Sequence, residues 1–490
     1  MSSAPHTPDV VVIGSGPNGL SAAVVCAAAG LRVAVYEAEG AIGGGARTAS
    51  LTLPGFLHDR CSSIYPLGVA SPFFRALPIE AYGVEWLHAQ YPLVHPLDDG
   101  DAVVVHRTLR HTAEMLGDDA RTYEQLLSSL VRDWKRLVRD VLAAPHVPRH
   151  PRLMAGFAMA AAQPATWLAA RLTTERARAL IAGLAAHSGA SLEAPLTSAF
   201  VLLLGALAHA VGWPVARGGA QSICDALASC LRARGGEIVV GRRVNALADL
   251  SSASLTLCDL APEQVAHLAA DRLPPRFARR LRKFRRGPGV FKVDWALDRP
   301  IPWTAQACLD ATTIHVGGTF DEIAESERAP HHGRVSDRPF VIVAQPSVCD
   351  PARAPRGRQV AWGYCHVPTG SRVDMTDAIE RQIERFAPGF RDCILARHTM
   401  APADLTRSNA SLIGGDISGG AFTIRQVVAR PSWRGYATPV HGLYLCSAST
   451  PPGAGVHGMC GYWAARRALL DRSVATGEAL VDIGALENVG

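Results

Sequence analysis

Short apolar runs and glycine-rich turns alternate in the first part of the chain. The run Val10 to Ile13 leads into Gly14, Gly16 and Gly19, and an alanine-rich segment then extends to a second run, Val33 to Tyr36. Short apolar runs bounded by turn residues predict buried strands, and the alanine-rich segment between them predicts a helix. The order therefore predicts a β-α-β unit with parallel strands.

Longer periodic segments predict further elements. Helical periodicity marks residues 123–142 and 168–187. The apolar stretch Leu196 to Trp213 favours a buried helix over one that dips into a membrane surface. Alternation of apolar and polar residues in Val290 to Leu297 and Phe340 to Pro346 predicts antiparallel strands.

Two later segments predict further strand and helix pairs. Ile223, Leu227 and Leu231 recur at helical spacing before a β run within residues 217–244. Leu443 to Cys446 predicts a buried strand, followed by a glycine turn and a helix from Met459 to Leu470. A strand, turn and helix in this order direct backbone N–H groups at a polar ligand atom.

Composition places the chain among globular proteins with a large core. Of its 490 residues 48% are hydrophobic and 19% charged, and the formal net charge is +6. No uninterrupted apolar run reaches the roughly 18 to 20 residues that span a bilayer. The 11 cysteines form neither a C-x-x-C pair nor a zinc-finger spacing, which favours free, mostly buried thiols and no metal site. We expect a cytoplasmic protein.

The β-α-β unit has the spacing of a dinucleotide-binding fingerprint. The glycines are expected to make the turn, to admit a diphosphate close to the backbone and to pack the helix on the strand, while Glu37 accepts hydrogen bonds from ribose hydroxyls. The helix N terminus adds N–H groups and a partial positive charge. The predicted cofactor contacts in this unit are Gly14, Ser15, Gly16, Pro17, Asn18, Gly19, Glu37 and Ala38.

A second glycine-rich loop follows Glu37. Its residues Gly43, Gly44, Gly45 and Ala46 suit another approach of backbone to the diphosphate, and the Arg47 guanidinium can form bidentate bonds. A simple NAD-binding unit has no use for this extension. FAD is therefore favoured over NAD.

Further motifs point to one family. They are the G-G-x-x-R-T pattern that ends at Thr48, the loop Leu53 to Ser63, residues 217–244, and the segment Gly442 to Gly458, which reads G-L-Y-L-C-S-A-S-T-P-P-G-A-G-V-H-G. Together they resemble the phytoene desaturase-like branch of the FAD-dependent amine oxidase and glutathione-reductase-type superfamily. This resemblance implies additional cofactor contacts at Val244, Ala448, Gly455, Val456, His457, Gly458 and Met459.

The motif positions predict an α/β fold with two domains. Residues 1–70, 215–290 and 430–490 are expected to form a discontinuous Rossmann-like FAD-binding domain. Residues 71–214 and 291–429 are expected to form an inserted substrate-binding domain, which combines an antiparallel or mixed sheet with a helical insertion.

The resemblance implies an oxidoreductase in which the flavin N5 takes hydride from a lipophilic small molecule. Isoprenoid, polyene and acyl-type substrates fit, with desaturation or isomerisation as the reaction and oxygen or a quinone as the electron acceptor. A flavin amine oxidase is the alternative enzyme. A non-catalytic lipid or prenyl carrier of the GDP-dissociation-inhibitor type is a further alternative. The substrate, the acceptor and the oligomeric state stay open.

Two smaller features complete the sequence-based picture. His457 is the candidate general base because imidazole titrates near neutrality, with a purely hydrogen-bonding role as the alternative.

The arginine-rich run Arg276 to Arg286 predicts a solvated helix face, with peripheral contact to an anionic membrane as the alternative. It lacks the interleaved aromatic residues of a nucleic-acid site, so we expect no nucleic-acid partner.

Overall fold

Two large β-sheets organise the computed structural model, which describes residues 7–250 and 253–476. The strands are β1 Val10–Ile13, β2 Val33–Tyr36, β3 Thr48–Ala49, β4 His58–Asp59, β5 Trp86–Leu87, β6 Leu93–Pro96, β7 Ala102–Val105, β8 Val215–Ala216, β9 Glu237–Val239, β10 Leu255–Cys258, β11 Gly289–Leu297, β12 Thr313–Val316, β13 Val341–Ala344, β14 Gln359–Val367, β15 Ile394–Met400 and β16 Leu443–Leu445.

Helices cover both sheets. They are α1 Pro17–Ala28, α2 Pro66–Ala70, α3 Pro72–Ala76, α4 Leu109–Met115, α5 Ala120–Arg132, α6 Trp134–Val141, α7 Pro151–Ala161, α8 Ala165–Ala169, α9 Glu175–Ala186, α10 Ser198–Ala210, α11 Gln221–Arg232, α12 Pro262–Leu268, α13 Pro275–Arg282, α14 Phe320–Arg328, α15 Thr376–Glu384, α16 Pro402–Ser408, α17 Ile424–Val428 and α18 Met459–Thr476.

The first sheet is parallel and has the strand order β16-β10-β1-β2-β9. Val10 pairs with both Val33 and Leu255, so β1 lies at its centre. Every residue of β1 and β2 is buried, and α1 packs against α11 and α18. Parallel strands covered on both faces read as continuous apolar runs, which is why the sequence displays them. The predicted β-α-β unit is confirmed.

The second sheet is mixed and has the order β15-β11-β14-β13-β12-β6-β7. Its neighbours are antiparallel except for β12 and β6, which pair in parallel. Beside it packs the helical layer that contains α5, α9 and α10. The predicted α/β class, with a Rossmann-like sheet and a separate mixed sheet with helices, is confirmed.

Several predicted elements have different limits. The periodic segment 123–142 is two helices, α5 and α6, because the chain leaves helical geometry at Asp133. The segment 168–187 contains the end of α8 and a new helix, α9, which begins after Thr174 accepts a hydrogen bond from the Ala177 N–H. The stretch predicted as a buried helix forms α10.

The first sheet takes its strands from residues 10–36, 237–258 and 443–445, and the second from residues 93–105 and 289–400. The predicted domain limits stay a prediction, and residues 1–6 and 477–490 of the predicted FAD-binding domain lie outside the described residues. Within the described part of the chain, no helix combines the length and hydropathy needed to cross a membrane.

Candidate functional site

A cavity of about 1360 Å³ lies between the two sheets. One end is formed by the glycine turns of the first sheet and the other by apolar helices and the second sheet. Its wall contains the predicted cofactor residues Gly14, Ser15, Gly16, Pro17, Asn18, Glu37, Ala38, Gly44, Gly45, Ala46, Arg47, Val244, Ala448, Gly455, Val456 and His457. Gly19, Gly43, Gly458 and Met459 are adjacent to it in sequence but do not form the wall.

The first glycine turn is too tight for side chains. Gly14 has a φ of 97°, and a Cβ on Gly19 would lie 2.1 Å from the Gly14 carbonyl oxygen. A Cβ on Gly16 would lie 2.6 Å from the Asp259 Oδ2 atom. A side chain at any of these three positions would strain the backbone or clash, so only glycine fits. Because glycine has no side chain, the backbone of the turn stays open to the cavity.

Glu37 ends β2 and holds the turn in place. Its Oε2 accepts hydrogen bonds from the Ser15 N–H at 3.0 Å and the Ser15 hydroxyl at 2.6 Å, while Oε1 accepts from the Glu39 N–H at 2.9 Å. An ionised carboxylate has about four acceptor positions. Glu37 therefore has capacity left for a ligand hydroxyl at the cavity wall.

Arg47 lies in the second glycine-rich loop, and some of its hydrogen-bond donors already bond protein carbonyls. Its Nε donates to the Gly44 carbonyl at 3.0 Å and its Nη2 donates to the Ser408 carbonyl. Burial and the nearby Arg60 lower the pKa of Arg47. Residual donors of this buried guanidinium face the same wall as Gly44 and Asn409.

Asp259 is a wall residue that the sequence analysis missed. It directly follows β10, and its Oδ2 accepts a hydrogen bond from the Gly19 N–H at 2.9 Å. Burial raises the pKa of this carboxyl to about 7, and the charge of Glu37 adds to the shift. The signal in the sequence is the short apolar run Leu255 to Cys258, whose C-terminal end places the acid beside the glycine turn.

A buried ion pair fixes the loop that follows the second glycine turn. Asp59 accepts hydrogen bonds from Thr48 Oγ1 at 2.7 Å, Ser63 Oγ at 2.5 Å and the Ala220 N–H at 2.9 Å. Arg353 Nη2 lies 3.0 Å from its Oδ2, and both side chains are almost fully buried. These contacts tie the first sheet's loop to the second sheet.

The second sheet adds charged residues close to this loop. Lys292 and Asp294 of β11 form a buried pair, and the Lys292 ammonium lies 5.2 Å from the ring centre of Trp362. Trp362 donates from Nε1 to the Ser63 hydroxyl at 2.8 Å. The alternation of β11 predicts which residues share a face but gives no sign of these partners, so the sequence analysis missed them.

Arg430 is a further buried cation that the sequence analysis missed. Its Nη2 donates to the carbonyls of Ser418 and Gly419 at 3.0 and 2.7 Å, and its Nε has no hydrogen-bond partner among the described residues. Burial lowers its pKa. It contributes to the cavity wall beside Gly453.

His457 is fully buried at the turn before α18. Its Nδ1 accepts a hydrogen bond from the Met459 N–H at 3.0 Å, and its Nε2 has no partner among the described residues. Burial lowers the pKa to about 4, so the ring is neutral at neutral pH and carries its proton on Nε2. This arrangement suits a hydrogen-bond donor better than a general base, and the catalytic role stays a prediction.

The far lobe of the cavity is apolar. It is bounded by α7, α10, α17 and the second sheet. The side chains that form it include Leu142, Met154, Phe157, Ala161, Leu196, Ala199, Phe200, Leu203, Leu204, Trp213, Ile342, Phe422, Val427 and Val428. Since this lobe is continuous with the glycine turns, a ligand held there reaches the cofactor end without crossing solvent.

Comparison with known proteins agrees with this geometry. Residues 12–77 match the family model of the NAD(P)-binding Rossmann-like domain. A pyridine nucleotide-disulfide oxidoreductase domain-containing protein 2 of Rattus norvegicus is 28% identical over 92% of both chains. The neurosporene-forming phytoene desaturase of Rhodobacter capsulatus is 26% identical over 54% of this chain and 55% of its own. These matches support an FAD-dependent oxidoreductase, and the β-α-β unit is the part that the family model covers.

Solved structures show the same fold for this oxidoreductase. An oxidoreductase from Methanosarcina mazei superposes with a TM-score of 0.65 at 17% identity, covering 92% of this chain and 97% of its own. Putrescine oxidase bound to putrescine gives a TM-score of 0.60 at 14% identity, covering 96% and 99%. The 11 cysteines are all free, and most of them are buried.

The residues at the dinucleotide end fit FAD, the cofactor that the sequence predicts. The wall at the dinucleotide end offers uncovered backbone at two glycine turns, a carboxylate at the end of β2 and the buried Asn18 Oδ1, which has no partner among the described residues. Orphaned buried polar atoms and backbone without side chains are what a polar dinucleotide requires. No group of three or more His, Cys, Asp or Glu side chains in the described ranges could hold a metal ion.

Proposed function

We propose that this FAD-dependent oxidoreductase acts on a lipophilic substrate of the isoprenoid, polyene or acyl type, and either desaturates it by removing hydride or isomerises it without net loss of hydrogen. The observation that carries the proposal is the single cavity, which joins a dinucleotide site to a large apolar lobe. An apolar cavity with a few polar groups suits a substrate that is mostly hydrocarbon.

When bound, FAD would accept a hydride, which carries two electrons, from the substrate. The protein's own contribution is position and exclusion of water: the apolar lobe orients the chain, and Asp59 and Arg353 hold the loop that closes the dinucleotide end. In a desaturation, one carbon loses hydride, its neighbour loses a proton and the two carbons gain a double bond. Oxygen or a quinone then takes the electrons.

A small-molecule amine is the alternative substrate, and the apolar lobe argues against it. An acid in the cavity wall beside this lobe is Asp140, which accepts hydrogen bonds from His146, from the backbone N–H of Arg149 and from both the backbone and the ring of His150. A carboxylate committed in this way is a poor partner for an ammonium group. A carrier without flavin is disfavoured because the glycine turns, Glu37 and Arg47 form a complete dinucleotide wall.

The test is photometric. Purified protein is expected to be yellow, or to become so after FAD is added, and the flavin band is expected to bleach under anaerobic conditions with a polyene or an acyl substrate but not with putrescine. A protein that never shows flavin absorbance would contradict the enzyme proposal. Bleaching by amines alone would establish the alternative.

The variant His457→Ala tests whether His457 takes part in the reaction or only forms hydrogen bonds that hold the turn. Because the ring bonds the Met459 N–H and is neutral, the variant is expected to keep its yellow colour and to slow flavin reduction in anaerobic stopped-flow traces. Wild-type reduction kinetics in the variant would remove His457 from the reaction.

A further inference from the structure

We propose that the apolar lobe contains a polar subsite, formed by Tyr364 and His187, that binds a neutral oxygen atom of the substrate, either a hydroxyl or a carbonyl. The inference rests on the proposed function, since it assumes a lipophilic ligand in this lobe. It narrows the substrate from any hydrocarbon to an oxygenated, uncharged one.

The register of the second sheet places the polar residues together. Lys292 pairs with Tyr364, Tyr364 with Ile342, and Ile342 with His315. Residues directly opposite each other on neighbouring strands project from the same face. Tyr364 and His315 therefore lie on one face, two strand spacings or about 10 Å apart along the sheet.

Tyr364 is part of the cavity wall. The residue is half-buried at the cavity wall, and no described residue bonds its Oη. Its ring stacks on Trp362 at 6.0 Å and meets the edge of His366 at 5.6 Å, so the orientation of the ring is fixed. A hydroxyl held without a partner in an apolar lobe is ready to bond a ligand.

His187 lies above the same face, directly after α9. Its Nε2 is 2.8 Å from the Nε2 of His315, and its ring packs against Trp213 at 5.4 Å. Burial lowers the pKa of His187 to about 3 and holds that of His315 well below its ordinary value, so both rings are neutral. A neutral imidazole has one donor and one acceptor nitrogen, which leaves His187 the second nitrogen for a ligand.

An unpaired buried hydroxyl marks the same wall. Thr313, on the strand of His315 and facing the same side, contributes to the cavity wall, and its buried hydroxyl has no partner among the described residues. His315 itself is not part of the wall, since its Nδ1 lies against Gly183 of α9. Buried polar groups normally find partners, so the unpaired Thr313 hydroxyl in an otherwise apolar lobe needs an explanation.

The surrounding charges favour a neutral ligand group. Along the same face Lys292 pairs with Asp294, and His366 pairs with Glu327 at 2.7 Å. An ammonium or a carboxylate at the subsite would be buried beside neutral imidazoles without a counter-charge. A hydroxyl or carbonyl oxygen has no such requirement.

The experiment uses the full-length, FAD-loaded protein and five matched chains: dodecane, dodecan-1-ol, dodecan-2-one, dodecylammonium and dodecanoate. Each is presented from the same nonionic micelles and displaces the neutral dye Nile red from the cavity. The alcohol and the ketone are expected to displace the dye at a concentration roughly five-fold lower than dodecane, the effect of about one hydrogen bond.

Variants assign the preference to the subsite. Tyr364→Phe keeps the ring and removes only the hydroxyl, so it should reduce the preference for the alcohol over dodecane to near unity. His187→Leu should reduce it as well. Thr256→Val on β10, a strand threonine outside the cavity wall, is the matched control and should keep the preference.

The outcomes are distinct. Equal displacement by dodecane and dodecan-1-ol, or an unchanged preference in Tyr364→Phe, would overturn the subsite while leaving a lipophilic substrate in place. Tightest binding of dodecylammonium or dodecanoate would also overturn it. Failure of all five chains would overturn the lipophilic-substrate proposal and the subsite together.

Discussion

Asp259→Asn tests the electrostatics of the dinucleotide end. The carboxyl has a pKa of about 7 in the fold against an ordinary value of 3.8, chiefly because of burial. A group whose pKa is raised by folding contributes stability that is complete below pH 3.8 and lost as the pH rises through 7. A difference of about three units corresponds to at most about 4 kcal/mol. Partial exposure at the cavity reduces this to roughly 2 kcal/mol.

The asparagine amide has no charge to bury, and its oxygen can still accept from the Gly19 N–H. We expect the free energy of unfolding of the variant, measured in urea on the FAD-free protein, to exceed that of wild type increasingly from pH 5 to pH 8, by about 2 kcal/mol. FAD affinity in the wild type should also fall above pH 7, because the ionised carboxyl repels the diphosphate, and should stay level in the variant.

Asp271→Asn, at an exposed carboxyl outside the cavity wall, is the control and should follow wild type at every pH. If Asp259→Asn and wild type lose stability in parallel between pH 5 and pH 8, the carboxyl is already ionised in the fold and the argument fails.

Three further changes probe other parts of the molecule. Gly16→Ala should weaken FAD binding at least ten-fold, on the order of 1.4 kcal/mol, because the new Cβ would meet Asp259 Oδ2. Fluorescence titration with FAD measures the affinity. Gly40→Ala, whose Cβ would point into open space, is the control. Arg353→Met should lower the unfolding free energy by about 3 to 5 kcal/mol by leaving the Asp59 charge buried and unpaired; a loss below 1 kcal/mol would contradict this. Because the run Arg276 to Arg286 is predicted to be a solvated face, replacing the exposed basic residues 279, 282 and 283 with serine should leave sedimentation with phosphatidylserine vesicles unchanged. A loss of about 1 kcal/mol per charge would instead establish contact with an anionic membrane.

The dinucleotide end was predictable because its requirements are local. Gly14, Gly16 and Gly19 are needed by a turn between a strand and the helix that follows it, and Glu37 is placed by the end of the next strand. Burial on both faces makes those strands continuous apolar runs. Such features repeat at fixed spacings along the chain, and the β-α-β unit therefore follows from the sequence.

The rest of the site could not be predicted because its members meet only in three dimensions. Asp259 comes to the first turn through parallel pairing of β10 with β1, and Arg353 reaches Asp59 from the other sheet. The hydrogen bond from Arg47 Nη2 to the Ser408 carbonyl likewise joins residues that are far apart in the chain.

The sequence by itself determined the fold class, the dinucleotide-binding unit and the glycine turns, because short-range steric and hydrogen-bonding rules specify them. Only the tertiary structure decided which polar groups lie unpaired in the cavity and which carry charge. Tyr364, His187 and Thr313 are far apart in the chain, and the strand register and the packing of α9 bring them to one wall. Their protonation follows from burial, which depends on all the surrounding elements at once.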